Sequence, residues 1–286
     1  MRRHAAIWLM GALAAAALFF AGPLRGQAAE PKNALPNGIS YAACDQVMAA
    51  ASQIREEQFL GVSSGDLPAD ARASLEKAEA ALTAQGIKYS YCVLNLDTGR
   101  LMSKNTITRF YSASCTKAPF IVSLLESGYR PTNDMYLAGH YSDNDAYLRL
   151  WNVFGNDSYK TFCKDAGVRE GIAAKRYTNL TSLELLQLWY HMTPFLLEEG
   201  DVSEFARGTF ADGACSAVND IFDGACTVYS KAGWISDGSL QVYNAAGLVL
   251  DGDHPFLVCL MTTAAGKEES AMDLALALFA VHEGME

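Results

Sequence analysis

Hydrophobic and polar positions change their rhythm several times along this chain, and the changes mark out its elements. Behind a basic start, Met1-Arg2-Arg3-His4, the residues from Ala5 to Phe20 form an unbroken apolar run. Small residues follow at Gly26, Ala28 and Ala29. A basic, an apolar and a small-residue segment in that order predict an export signal cut near Ala28 or Ala29. The run is short for a membrane-spanning helix. Residues 30–66 form a polar lead-in, with a helix expected over Tyr41 to Phe59. Pro68-Ala69-Asp70 then opens a stretch rich in Ala, Leu, Glu and Lys that stops at Gly86, a helix by composition and boundary. Alternation takes over at Tyr89, Tyr91, Val93 and Leu94. It turns at Asp97-Thr98-Gly99 and returns through Leu101 and Met102.

From Ser114 to Glu126 the period is helical again, and helices are expected throughout residues 130–207, most clearly Asp143 to Val153 and Ser182 to Glu198. Three strand patterns follow: Thr227 to Ile235, Gln241 to Leu250 and Phe256 to Thr262. Ser236-Asp237-Gly238 and Asp251-Gly252-Asp253 supply the hairpin turns between them. A last helix over Glu268 to His282 sets Met272, Ala275, Leu276 and Phe279 on one face. Hairpin-linked strands with helices before and after predict an α+β fold, with an antiparallel five-stranded sheet flanked by helices. The divisions expected are a signal over 1–29, a lead-in over 30–66, a sheet-bearing lobe over 67–127 and 208–286, and an inserted all-α lobe over 128–207. A site would fall in the cleft between the lobes.

Charge and cysteine content narrow the partners. Loss of residues 1–29 removes Arg2, Arg3 and Arg25 and leaves 19 basic against 32 acidic residues, a formal charge near −13. Such a surface repels phosphate backbones and anionic lipid, which argues against nucleic acid and, once the signal is cut, against a membrane. Seven cysteines in an exported chain leave at least one thiol unpaired. Cys215 and Cys226, in a loop-like stretch, are the pair expected to form a disulfide. Cys92 and Cys259 lie in apolar strands as small core residues. With no C-x-x-C and no His/Cys cluster at ligand spacing, neither a metal nor a cofactor is expected.

Three short motifs carry chemistry. Ser114-Cys115-Thr116-Lys117 opens a helix, so Lys117 falls on the face of Ser114 one turn on. A neutral lysine there takes the serine proton; a charged one stabilises the alkoxide. A second S-x-x-K, Ser74 to Lys77, sits inside the first helix, where a surface role is expected. Ser142-Asp143-Asn144 follows 28 residues after Ser114. It reads either as a helix N-cap before Ala146-Tyr147-Leu148 or as a proton carrier and an amide positioned for substrate. Lys231-Ala232-Gly233 lies on the first strand after the helical block, taken as an inner strand. The lysine is a charge for a substrate carboxylate, and the glycine permits close backbone approach.

The ordered set S-x-x-K, S-D-N, K-x-G resembles the penicillin-recognising serine hydrolases, class A β-lactamases and penicillin-binding proteins in particular. Phe110-Tyr111-Ser112-Ala113 before the nucleophile and Trp234 through Thr263 add to the likeness, which spans roughly residues 67–284. The resemblance implies that Ser114 is acylated and that Lys117 helps to activate it. It implies that Ser142 carries the proton to the leaving group and Asn144 positions substrate. Lys231 would polarise Ser142 and attract a carboxylate, with Gly233 and Trp234 lining the substrate strand. The Ser114 and Trp234 backbone N–H groups would form an oxyanion hole, where one donor contributes ~3 kcal/mol to the barrier. The implied partner is a β-lactam or a cell-wall peptide.

Three departures bear on activity. The deacylating glutamate of class A enzymes stands in an E-x-x-L-N pattern that this chain lacks; Asp165 and Glu170 are the candidate substitutes. Ala232 replaces the third motif's hydroxyl, a loss of ~1.5–3 kcal/mol for a bond to a charged group. No arginine lies near Tyr243 or Leu250 to reinforce carboxylate binding, and Arg207 is the nearest candidate. The expected activity is that of a secreted serine hydrolase of class A type. A D,D-peptidase or penicillin-binding protein with slow deacylation, an esterase and a non-catalytic wall-binding protein are the alternatives. His140 is expected near the cleft, while His191 and His254 look like helix-surface and turn residues.

Overall fold

In the computed structural model of the chain, residues 39–51, 53, 64–222 and 224–285 are described. The expected signal, its cleavage point near Ala28 or Ala29 and most of the lead-in lie outside them. Helix α1, Tyr41–Ala51, matches the start of the helix expected there, and the rest of that expectation again lies outside the described residues. Helix α2, Ala69–Ala84, follows Pro68 at its N-cap and buries Ala71, Leu75, Ala78 and Leu82 at helical spacing. Strands β1, Tyr89–Asn95, and β2, Leu101–Lys104, pair antiparallel about the Asp97-Thr98-Gly99 turn.

A two-residue strand, β3, Phe110–Tyr111, leads into a 3-10 turn over Ala113–Thr116 and helix α3, Lys117–Glu126. Helices α4, Asn133–His140, α5, Asn144–Phe154, and α6, Asp157–Asp165, come next. The expectation of helix throughout 130–207 needs one correction. Asn179–Leu180 forms strand β4, which pairs antiparallel with β3 and fixes the stretch before Ser114. Helix α7, Ser182–Leu197, starts at a reciprocal cap in which Thr181 Oγ1 and the Glu184 carboxylate each accept the other's backbone N–H. Arg169 Nε donates to the same carboxylate at 2.6 Å. Helix α8, Asp201–Phe210, completes the block, and the short helix α9, Ala217–Phe222, follows it.

The chain then returns as strands β5, Thr227–Asp237, β6, Leu240–Leu250, and β7, Phe256–Thr262, and ends in helix α10, Glu268–Glu283. The sheet has the order β2-β1-β7-β6-β5 and every pairing is antiparallel, as expected. Strand β5, taken as an inner strand from the sequence, is in fact an edge strand, so one side of its backbone is open to a ligand. One sheet face packs against α2 and α10 through Leu75, Leu82, Val258 and Leu278. The other packs against α7 and the helical block through Cys92, Leu248, Leu186 and Trp189.

Two further expectations are corrected. The buried stripe of α10 is Ala271, Leu274, Ala275, Leu278 and Val281, and Leu276 is exposed. This helix is apolar on several sides, so composition offered more than one stripe. All seven cysteines are free, Cys215 and Cys226 included. Cys226 stands at the start of β5 beside Asp251, which with burial pushes its thiol up to about 12. Cys215 lies in the turn before α9, within the field of Lys231 on β5. Cys92 and Cys259, by contrast, are fully buried and face each other in register, as core residues should.

Candidate active site

Ser114 sits in the 3-10 turn, half-buried, just before α3. The turn is pinned from several sides. The Asn244 amide on β6 donates to the Tyr111 carbonyl at 2.9 Å, while its Oδ1 accepts the Thr262 backbone N–H at 3.1 Å. Ser112 N–H donates to the Thr178 carbonyl at 2.8 Å, and Thr116 Oγ1 donates to the Arg176 carbonyl at 3.1 Å. Gly233 closes the remaining side. A Cβ on it would stand 2.5 Å from Ser112 O, 2.6 Å from Ser114 N and 2.7 Å from Cys115 N. The sequence assigns this glycine to substrate approach; the turn that carries Ser114 already needs it.

Lys117, one turn on, is fully buried. Its Nζ donates to Ser142 O at 2.7 Å, to Asn144 Oδ1 at 2.8 Å and to Asp143 O at 3.3 Å. Burial and then the Lys231 charge pull it down to about 7, against Asp143, which raises it. The Tyr147 ring stands 5.5 Å from Nζ. At neutral pH this amine therefore divides between base and ammonium, although no hydrogen bond among the described residues joins it to the Ser114 hydroxyl.

The middle motif divides its labour. Asp143 is the N-cap of α5, its carboxylate accepting the Ala146 N–H at 2.6 Å. Capping thus takes Asp143 and leaves Ser142 and Asn144 to the cleft. Ser142 holds a left-handed backbone, φ 61°, and Ala113 beside Ser114 does the same at φ 45°. Lys231 Nζ donates to Ser142 Oγ at 3.0 Å and to Ala232 O at 2.9 Å. Burial lowers Lys231 to about 8, opposed by the Cys115 and Cys215 thiols. Hydrogen bonds thus run from Lys117 and from Lys231 to the same Ser142, one to its carbonyl and one to its hydroxyl. Trp234, next on β5, keeps its ring 39% exposed, with Lys231 Nζ 6.0 Å from the centroid.

Two residues here escaped the sequence reading. Tyr177 donates its hydroxyl to Asn144 Oδ1 at 2.8 Å, sharing that oxygen with Lys117. Because a charged lysine can only donate, the Asn144 oxygen faces it, and its NH2 group is left for the cleft. Nothing local in the sequence marks Tyr177. Tyr147 was detectable, three residues after Asn144 on the same helix face.

Other candidates fall elsewhere. Asp165 lines a surface cleft with Tyr41, Asp45 and Tyr190. Glu170 is exposed on a 3-10 turn. Among the described residues, neither has a hydrogen bond or ion pair to Lys117, Ser142 or Asn144. Arg207 donates to Leu196 O at 2.8 Å and Glu198 O at 2.7 Å, closing the corner between α7 and α8. His140 stacks on Tyr136 with centroids 4.9 Å apart, and its Nδ1 is buried without a partner. Ser74 and Lys77, the other S-x-x-K, lie at the surface of α2.

No protein-family model matches this sequence, and no curated protein matches it. Solved structures do. A β-lactamase from Sphaerobacter thermophilus superposes with a TM-score of 0.61 at 14% identity, covering 74% of this chain and 97% of its own. One from Chitinophaga pinensis gives 0.61 at 14% identity, over 75% and 100%. One from Desulfarculus baarsii gives 0.59 at 17%, over 74% and 97%. A variant of an ancestral class A β-lactamase of Gram-negative bacteria gives 0.59 at 16%, over 75% and 100%. Identity this low carries the architecture and leaves the chemistry to be argued from the residues. The chain therefore has the fold of the class A β-lactamases, a serine-hydrolase fold.

Proposed function

We propose that this chain is an exported serine hydrolase that is acylated on Ser114 by a β-lactam or a related amide or ester. The observation that carries the reading is the pair of lysines converging on Ser142, with Lys231 3.0 Å from its hydroxyl and Lys117 2.7 Å from its carbonyl. In this mechanism neutral Lys117 removes the Ser114 proton as Oγ bonds the acyl carbon. Backbone N–H groups of Ser114 and Trp234 hold the oxyanion. The bond to the leaving atom breaks as Ser142 delivers a proton to it and takes back the one that Lys117 removed from Ser114, while Lys231 holds Ser142 in place. Export rests on residues 1–29. The division into a sheet-bearing lobe, 67–127 and 208–286, and an inserted helical lobe, 128–207, belongs to the same proposal and puts Ser142 and Lys231 on opposite cleft walls.

Slow deacylation, as in a D,D-peptidase or penicillin-binding protein, is the second reading. Among the described residues, the hydrogen bonds of Lys117 go to two backbone carbonyls and one amide, and none to a carboxylate that could activate water. Lys117 is then the base for both half-reactions. Intact mass of the mature chain at intervals after mixing with a penicillin tests both readings. An adduct on Ser114 that persists for hours supports slow release, and one that clears within seconds supports a working β-lactamase. Labelling that survives Ser114→Ala in a folded protein would overturn the assignment.

A further inference from the structure

On the side of the site where a leaving group would depart, among Ser142, Lys231 and Trp234, the protein uses up its own donors. Lys231 has three protons at most, and two already go to Ser142 Oγ and Ala232 O. The next positions on β5 are Ala232, buried and without a hydroxyl, and Gly233. Neighbouring polar side chains are turned onto the protein. The Tyr243 hydroxyl donates to Cys215 O at 3.0 Å, and Ser230 Oγ donates to Asn219 Oδ1 at 2.9 Å and shares a hydrogen bond of 2.7 Å with Ser216 Oγ. Arg207 is spent on the carbonyls that close the α7–α8 corner.

The surrounding charge also opposes an anion. Burial and then the Asp220 carboxylate push the Tyr243 phenol up, and the same two causes raise the Cys215 thiol beside it against the opposing Lys231 charge. What this side does offer is apolar surface. Trp234 is 39% exposed next to Gly233, and Tyr141 is 59% exposed next to Ser142. The Trp234 ring centroid lies 6.0 Å from Lys231 Nζ, and the Tyr141 ring packs edge-on against His140 with centroids 4.7 Å apart.

We propose that the leaving group is uncharged and apolar or aromatic, so that the substrate is a neutral ester or amide with no carboxylate beside the scissile bond. The inference rests on acylation of Ser114. In the reaction the Ser114 Oγ–acyl bond forms, the bond from acyl carbon to leaving oxygen or nitrogen breaks, and the serine proton ends on the leaving atom. A carboxylate on that group enters a pocket with one shared cation and exposed rings. An aromatic ester sets its ring against Trp234 and Tyr141.

The test is a matched pair of phenylacetylglycyl esters, one leaving 3-hydroxybenzoate and one leaving its methyl ester. Both are offered to the mature full-length chain, with phenol release and Ser114 acylation followed. The missing charge-assisted hydrogen bond predicts a kcat/KM about tenfold or more higher for the neutral leaving group. Ala232→Thr, which restores a hydroxyl, narrows the gap by raising the rate of the charged ester. Equal rates, or preference for the free carboxylate, would overturn the proposal while leaving Ser114 as the nucleophile. Failure of both esters to acylate Ser114 overturns the proposal together with the reading on which it rests.

Discussion

Gly233 approaches Ser114 so closely that the Cβ it lacks would stand 2.6 Å from the Ser114 amide nitrogen. The other two close atoms, Ser112 O and Cys115 N, are also backbone, so no side chain can swing away to make room. Gly233→Ala must therefore push β5 and the nucleophile turn apart. Labelling of Ser114 should fall by more than about 100-fold, in line with the loss of one or two aligned oxyanion donors. Thermal unfolding and adduct formation measured on the same sample separate displacement of the turn from collapse of the fold.

The two lysines predict a narrow pH optimum. Acylation needs Lys117 neutral, which favours pH above about 7, and Lys231 charged, which favours pH below about 8. The acylation rate should rise and then fall between pH 6 and 9. The Lys231 charge lowers Lys117, so Lys231→Met should move the rising limb to higher pH and remove the falling one. Stopped-flow acylation across that range reads both limbs, and an unmoved rising limb in the variant would refute the assignment of that limb to Lys117.

Asn244 joins β6, β7 and the stretch before Ser114 through one buried amide. Asn244→Ala leaves the Tyr111 carbonyl and the Thr262 N–H without this partner, at a cost of about 2–3 kcal/mol. Chemical denaturation should show that loss. Acylation should slow as well, because the turn loses a tether.

His282 governs acid stability. It is fully buried, stacks on Phe256 with centroids 3.8 Å apart and shares a 2.8 Å hydrogen bond between Nδ1 and Asn95 Oδ1. Burial lowers it to about 4, with Asp97 opposing and His254 assisting. As pH falls, the unfolded chain takes up the proton first. The stability is complete above about pH 6.5 and is lost progressively toward pH 4, by up to ~3 kcal/mol. Urea midpoints between pH 4 and 8 should show this slope, and His282→Gln should flatten it.

The sequence revealed most of the fold because its strands and helices carry clear periods and explicit stops, as at Asp97-Thr98-Gly99 and Thr181. It revealed the three motifs because their chemistry demands fixed residue types at fixed offsets. What escaped it depends on tertiary contact. Tyr177 reaches Asn144 from a turn with no period of its own, and β4 is two residues long and exists only because β3 lies opposite. The stripe of α10 was misassigned because a helix apolar on several sides is resolved only by what packs on it. Cys215 and Cys226 looked like a pair on a line, yet both thiols are free, one in the turn before α9 and one just ahead of β5.

Ala113, beside Ser114, and Ser142 both hold left-handed backbone. Each such residue costs of order 1–3 kcal/mol, against a net stability of about 5–15 kcal/mol for a typical domain. A large part of the margin is therefore locked into two positions next to the reactive hydroxyls. Selection of this scaffold for heat resistance alone would relax those positions early and return sturdier proteins that no longer react. Any thermostability campaign needs an acylation screen run beside it.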